Sequence, residues 1–298
     1  MPEVPSPQEV TFPILLGDPA QLRALTARWR CEGARIGLVP TMGALHQGHL
    51  SLVEAARAEC QKVVVSIFVN PRQFGPEEDF ARYPRRPERD RERLHQSGVD
   101  AIYMPTVDSI YPPAFATSVR VDLEGLRRFE GAARPGHFQG VATVVAKLFC
   151  VVGPCLAFFG EKDAQQVALV RRLAADLDGG VEVRECPTVR EADGLAMSSR
   201  NEYLGEGERR YALGLSRWLR AGQRLFAAGE RDAEVYRRLA PATVGPAPGV
   251  TLEYADVVDP SDFSSVAMVD RGSRMMIAVR VGRVRLIDTA LVGAAAAP

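Results

Sequence analysis

The sequence predicts an α/β fold: a parallel sheet covered by helices on both faces, followed by a smaller α+β domain built on an antiparallel sheet. Three observations predict it. Short apolar runs alternate with stretches of helical apolar spacing through the first two thirds of the chain. Those runs are continuously apolar rather than alternating, as befits strands buried on both faces. After Pro187 the pattern changes, and two apolar runs joined by Gly282-Arg283 have the spacing of a hairpin.

In chain order, strands are expected over 36–39, 63–69, 101–104, 156–159 and 181–186, and helices over 19–30, 50–60, 88–97, 141–152 and 164–177. In the helix over 50–60, Leu52, Val53, Ala56 and Cys60 recur at helical spacing. The second part reads as helices over 206–229 and 233–239, a loop rich in Pro, Gly and Ala over 241–249, and strands over 250–258, 275–281 and 284–288. The expected division is 1–188 and 189–298. Met1 to Pro13 holds four prolines, lacks the basic-then-apolar order of a signal peptide, and reads as a loose leader. Residues 294–298 read as a frayed end.

Composition excludes some functions. The 37 basic residues balance 37 acidic ones, which argues against a general nucleic-acid binder. No run of about 18 apolar residues is present, so no transmembrane helix is expected. The five cysteines (Cys31, Cys60, Cys150, Cys155 and Cys186) are odd in number and match no zinc spacing. They read as reduced, mostly buried thiols, and hence as a cytoplasmic setting.

Four segments carry the chemistry, each where a strand runs into a turn or helix, and the carboxyl ends of parallel strands are where such sheets bind ligands. The first spans Pro40 to His49 and contains Met42, Gly43, Ala44, Leu45, His46, Gln47, Gly48 and His49. Backbone N–H groups at the helix start favour phosphates, and its glycines allow close approach. The imidazoles can donate to charge that develops during transfer. Zinc-protease helices use His-Glu-x-x-His, a different spacing from the His46/His49 pair. The second segment holds Asn70 and Gln73, the latter suited to a small ligand with hydroxyl and carboxylate groups. The third, Gly160-Glu161-Lys162-Asp163, places a compact positive charge at a strand end, with Asp163 readable as a helix N-cap and Gln166 about one turn on. In the fourth, Val189 precedes Met197-Ser198-Ser199-Arg200, whose hydroxyls and guanidinium can hold a polyphosphate.

In this order and spacing the four segments resemble the pantothenate synthetase (pantoate–β-alanine ligase) family over nearly the whole chain. More widely they resemble the nucleotidyltransferase group related to class I aminoacyl-tRNA synthetases. Tyr83-Pro84-Arg85 and the stretch from Arg134 to Val141 fit the ligase family specifically. The resemblance implies a Rossmann-like parallel sheet domain with a smaller C-terminal lid. It implies condensation of (R)-pantoate with β-alanine through a pantoyl adenylate, with ATP and Mg²⁺, in a homodimer joined through the larger domain. By resemblance, Met42 to His49, Gly160 to Asp163, Val189 and Met197 to Arg200 line the ATP site. His49, His46, Lys162 and Arg200 act in catalysis. Gln73 and Gln166, with Asn70, hold substrate, and Asp90 matches an acidic position near Mg²⁺ and phosphate. Ala164, where an aromatic residue is common, and Arg89, in a stretch that is often more acidic, depart from the family pattern. Two other readings compete: a different member of the nucleotidyltransferase group, and a non-catalytic nucleotide-binding protein.

Overall fold

The computed structural model describes residues 12–76 and 78–294. Most of the expected leader and residues 295–298 of the expected frayed end lie outside the described residues.

The larger sheet has six parallel strands: β1 (Ile14–Leu16), β2 (Ile36–Thr41), β3 (Lys62–Ile67), β4 (Ala101–Tyr103), β5 (Cys155–Gly160) and β6 (Val181–Cys186). Their spatial order is β1-β4-β3-β2-β5-β6. The chain therefore builds outward in one direction from β2 and in the other from β5. Such a switch point opens a crevice at the strands' carboxyl ends. Seven helices connect the strands: α1 (Pro19–Cys31), α2 (Gln47–Glu59), α3 (Pro87–Gln96), the short α4 (Val107–Ile110) and α5 (Glu130–Ala133), α6 (His137–Val152) and α7 (Ala164–Asp176).

Strand β2 shows how the two faces are filled. Ile36 and Leu38 join an apolar cluster with Trp29, Val145 and Phe149, on the side of α1 and α6. Val39 points the other way, into a cluster with Leu52, Val53 and Phe158. Gly37 shares that second face, where a Cβ would lie 3.1 Å from the Cβ of Ala56 and 3.2 Å from Cys60 Sγ. Its bare backbone lets α2 sit close to the sheet. Asp18 starts α1 by accepting the N–H groups of Ala20 and Gln21, and Pro19 supplies a preset first turn.

The smaller part comprises α8 (Glu206–Ala227), α9 (Ala233–Val244) and an antiparallel sheet of β7 (Val250–Val258), β8 (Arg274–Val281) and β9 (Val284–Leu291). Trp218, Tyr236, Val257, Ile277 and Leu286 fill its core. The Trp218 indole donates to the Tyr236 carbonyl at 2.8 Å, so the buried N–H is satisfied. The parts are tied by Arg285 on β9, which forms a bidentate pair with Glu130 on α5 (2.6 Å each), and by the Tyr254 hydroxyl donating to the same carboxylate at 2.7 Å.

Several elements differ from the sequence expectation. β1 is not among the expected strands. It is three residues long and half open to solvent, so no buried run marks it. Helix α6 begins four residues earlier than expected, at His137, behind the left-handed Gly136. Helix α9 runs on through Pro241 to Val244 before Gly245 (φ +80°) ends it. A proline in a final turn removes a single backbone hydrogen bond, which packing of Ala240 and Val244 into the core offsets.

Candidate active site

A cavity of about 240 Å³ opens at the carboxyl ends of β2 and β5. His46, His49, Gln73, Lys162, Gln166, Ser198, Ser199 and Arg200 all line it, as do Met42, Gly48, Asn70, Gly160, Asp163, Val189 and Met197. Gly43, Ala44, Leu45, Gln47, Glu161 and Asp90 are not among its lining residues.

The histidine turn is built by α2 and gripped by α3. His46 is extended and occupies the N-cap position of α2. Its backbone N–H donates to Nδ1 of His49 at 3.2 Å. A neutral imidazole that accepts at Nδ1 carries its proton on Nε2. Both histidines are held neutral. Burial, then the charges of Lys162 and Arg93, brings His46 down to about 4. Burial, then His46 and Lys162, holds His49 well below the ordinary value. The rings lie 4.0 Å apart, and a Cβ on Gly48 would come within 3.0 Å of the His46 ring. A larger residue at Gly48 would crowd the His46 ring.

Asp90 stands behind that turn. Its two carboxylate oxygens accept the N–H groups of Ala44 and Leu45, each at 2.8 Å, and Asp90 is 2 % exposed. One turn further along α3, Arg93 donates to the Leu45 carbonyl. The pair holds Gly43 (φ +81°) and Ala44 (φ +48°) in left-handed backbone. Asp90, expected beside Mg²⁺ and phosphate, stands behind the turn instead of on the cavity wall, with each oxygen accepting a backbone N–H, because buried N–H groups need an acceptor.

The second segment is a directed chain of hydrogen bonds. Asn70 Oδ1 accepts from the Arg72 backbone N–H (3.2 Å) and the Tyr111 hydroxyl (2.8 Å). Asn70 Nδ2 donates to the Gly140 carbonyl (3.1 Å) and to Gln73 Oε1 (3.0 Å). The backbone partners fix the Asn70 amide, and Asn70 then fixes Gln73 with Nε2 toward Met42 Sδ at 3.1 Å. Asn70 is buried and fully engaged, so it orients Gln73 rather than offering a free group of its own. A Cβ on Gly140 would meet the Arg72 carbonyl oxygen at 2.2 Å, so glycine is needed where α6 presses on this loop.

Lys162 sits in a short 3-10 turn, Glu161–Asp163, immediately after β5. Glu161 accepts the Thr188 N–H at 3.0 Å, on the far side of the turn. Asp163 stands at the N-cap position of α7 without making a side-chain cap bond, contrary to its simple reading as a cap. Ser198 accepts the Arg200 N–H at 3.3 Å, and Ser199 donates to the Ala44 carbonyl at 3.2 Å, tying this loop to the histidine turn. Arg200 is paired with Asp79.

Comparison with known proteins places this geometry. The family described as Pantoate-beta-alanine ligase matches residues 15–291. The chain belongs to the pantoate–β-alanine ligase family. It is 55% identical over 259 residues to a pantothenate synthetase of Acidobacterium capsulatum, covering 87% of this chain and 86% of the relative. Against the pantothenate synthetase of Rubrobacter xylanophilus identity is 50% over 283 residues, with 93% and 97% covered. The crystal structure of the Thermus thermophilus pantothenate synthetase has 46% identity and a TM-score of 0.89, covering 94% of this chain and 99% of that one. A Francisella tularensis pantoate-beta-alanine ligase, solved complexed with beta-gamma ATP and beta-alanine, has 32% identity and a TM-score of 0.77, with 96% and 100% covered.

Within this ligase-family site, the structure adds residues that the sequence did not single out as site residues. Arg134 and His137 line the cavity. Nδ1 of His137 lies 2.9 Å from the Gln73 carbonyl and Nε2 lies 3.1 Å from Arg134 Nη1. Since the carbonyl only accepts and the guanidinium only donates, the proton is on Nδ1. Burial, then Arg134, brings His137 down to about 4. Thr188 also lines the cavity, and its hydroxyl is buried without a partner. The stretch from Arg134 to Val141 is visible in sequence as a family match, but its work lies in tertiary contacts with Gln73.

Proposed function

We propose that this chain condenses (R)-pantoate with β-alanine using ATP, through a pantoyl adenylate, releasing AMP and pyrophosphate. The observation that carries the reading is that imidazole, ammonium, guanidinium and amide groups from four separate strand-end segments line one cavity. A carboxylate has no leaving group suitable for amide formation in neutral water. Attack of the pantoate carboxylate on the α-phosphorus forms a P–O bond and breaks the bond to pyrophosphate. The uncharged amine of β-alanine then attacks the acyl carbon, gives up a proton, and AMP departs.

Each group has a chemical part in this reading. His49, donating through Nε2, and His46 stabilise phosphate charge as neutral donors. Lys162 supplies a point charge and Arg200 a planar fork. Ser198 and Ser199 sit beside the phosphates and Val189 on the adenine side. Gln73 and Gln166 hold pantoate, with β-alanine next to Gln73. Mg²⁺ enters with ATP, held mainly by phosphates and water with few carboxylates, so a dedicated cage of protein ligands is not needed. Positioning and charge neutralisation are what phosphoryl chemistry needs. The part from residue 189 onward acts as a lid that shields the adenylate from water.

A homodimer through the larger domain is part of the same reading, checked by sedimentation. A cytoplasmic setting accords with five free cysteines, and none of the described helices is long and apolar enough to cross a membrane. The deciding assay follows pyrophosphate release with pantoate, ATP and Mg²⁺, first without and then with β-alanine. A ligase gives one turnover without β-alanine and continuous AMP formation with it. Pyrophosphate release that ignores pantoate would favour another nucleotidyltransferase, and none at all would favour a binding protein.

A further inference from the structure

We propose that Asp79 is a positioning residue for the nucleotide: it grips one edge of the Arg200 guanidinium so that the opposite edge is presented to the polyphosphate. The inference rests on the reading of the cavity as an ATP site. Arg200 Nε lies 2.7 Å from Asp79 Oδ2, and Nη2 lies 2.9 Å from Oδ1, so the pair is bidentate across 121 residues of sequence. A guanidinium has five N–H donors in a rigid plane. This pairing uses Nε–H and one Nη2–H. Both Nη1–H groups and the outer Nη2–H remain, and together they form a second bidentate edge of the kind that matches phosphate.

The neighbouring carboxylate repeats the arrangement. Glu78 accepts Arg134 Nε at 2.8 Å and Arg134 Nη2 at 2.7 Å. Glu78 and Asp79, adjacent in sequence, thus hold by their inner edges two arginines that line the cavity. Neither carboxylate is itself a lining residue. The segment bearing them is fastened to the 3-10 turn Ser199–Tyr203: the Tyr203 hydroxyl donates to the Arg82 carbonyl at 2.6 Å, and Arg86 pairs with Glu202 at 2.5 Å. Arg200 also lies over the Tyr83 ring, 5.5 Å from its centroid. Burial alone would lift the Asp79 carboxyl, but hydrogen bonds and charge from Arg200 hold it below its ordinary value. The pair therefore stays ionised at neutral pH, and an arginine with one edge fixed has fewer rotamers to lose when phosphate arrives.

The test compares Asp79→Ala, Asp79→Asn and Asp79→Glu with Arg200→Ala and the double variant Asp79→Ala/Arg200→Ala. ATP KM and pantoate KM are read from pyrophosphate release, and folding from circular dichroism. The expected result is an ATP KM raised about tenfold in Asp79→Ala, the scale of one charge-assisted contact, with pantoate KM within about twofold. Asp79→Glu should recover most of the loss. On the Arg200→Ala background the aspartate change should add less than about twofold. An unchanged or lowered ATP KM in Asp79→Ala would overturn the proposal, the latter by showing that Asp79 competes with phosphate for Arg200. So would an equal loss on both backgrounds. Should the alanine variant melt, the isosteric Asp79→Asn gives the same comparison. Should the wild-type chain release no pyrophosphate, the ligase reading fails separately, and calorimetric affinity for a non-hydrolysable ATP analogue carries the same set of comparisons.

Discussion

Nδ1 of His49 accepts the backbone N–H of His46, and this single contact both closes the first turn of α2 and fixes which imidazole nitrogen bears the proton. The two consequences can be separated. His49→Ala removes both the cap and the donor. His49→Asn keeps an oxygen near the position of Nδ1 but leaves no N–H where Nε2 stood. We expect both variants to lower turnover about 100-fold or more, the scale for losing one transition-state donor. Only the alanine variant should also lose stability, by about 1 kcal/mol, as for a lost cap. Thermal melts beside kcat measurements check this, and an asparagine variant of near-normal turnover would contradict the donor role.

The histidines also predict a pH dependence. His46 and His137 lie at about 4 in the folded chain against an ordinary value of 6.5, and His49 is lowered as well. Unfolded chains therefore bind more protons than folded ones between those values, and stability falls as pH drops from about 6.5 toward 4. Above about 6.5 these groups leave stability flat. Melts across pH 4.5–8 should show that slope, and His137→Gln should make it shallower. An unfolding midpoint that is constant from pH 8 to 5 would refute the assigned protonation states.

Asp90 offers a sharper discrimination. Its carboxylate accepts two backbone N–H groups of the histidine turn, so Asp90→Asn leaves one of them facing an amide donor. The cost of a buried unsatisfied donor is about 1–3 kcal/mol. We expect kcat to drop while the Mg²⁺ concentration that half-activates the enzyme stays within about twofold. A large shift in that concentration would return Asp90 to the metal.

Glu130 joins the two parts of the chain. It is 6 % exposed and accepts Arg285 twice and Tyr254 once. Glu130→Gln strands a guanidinium whose other partner is Glu253 at 2.7 Å. Breaking such a buried pair costs about 3 kcal/mol. Urea denaturation should show that loss, and a midpoint equal to wild type would show the pair to be dispensable.

Much of this is legible in the chain because parallel strands write local signals. The apolar runs of β2, β3 and β5 lead into Gly43, Asn70-Pro71 and Gly160, and the cavity opens at those corners. Hidden from that reading are groups whose role depends on a distant partner. Nothing near Asp79 in sequence announces Arg200, and nothing near Asn70 announces Tyr111 or Gly140. Asp90 is visible in the sequence but its partner is not, since an acidic residue on a helix looks the same whether it holds a metal or a backbone turn. Strand β1 escapes a sequence reading because an exposed three-residue edge strand carries no period to count.

The relay that runs from Tyr111 through Asn70 to Gln73 gives the cavity a sense of polarity. Because main-chain groups anchor its start, the terminal amide cannot swap ends without stranding a partner. At Gln73 the cavity therefore presents a donor of fixed direction, which suits an atom bringing a lone pair and opposes one bringing a hydrogen. Such a preference originates some distance behind the surface, in Tyr111 and the main chain around Asn70.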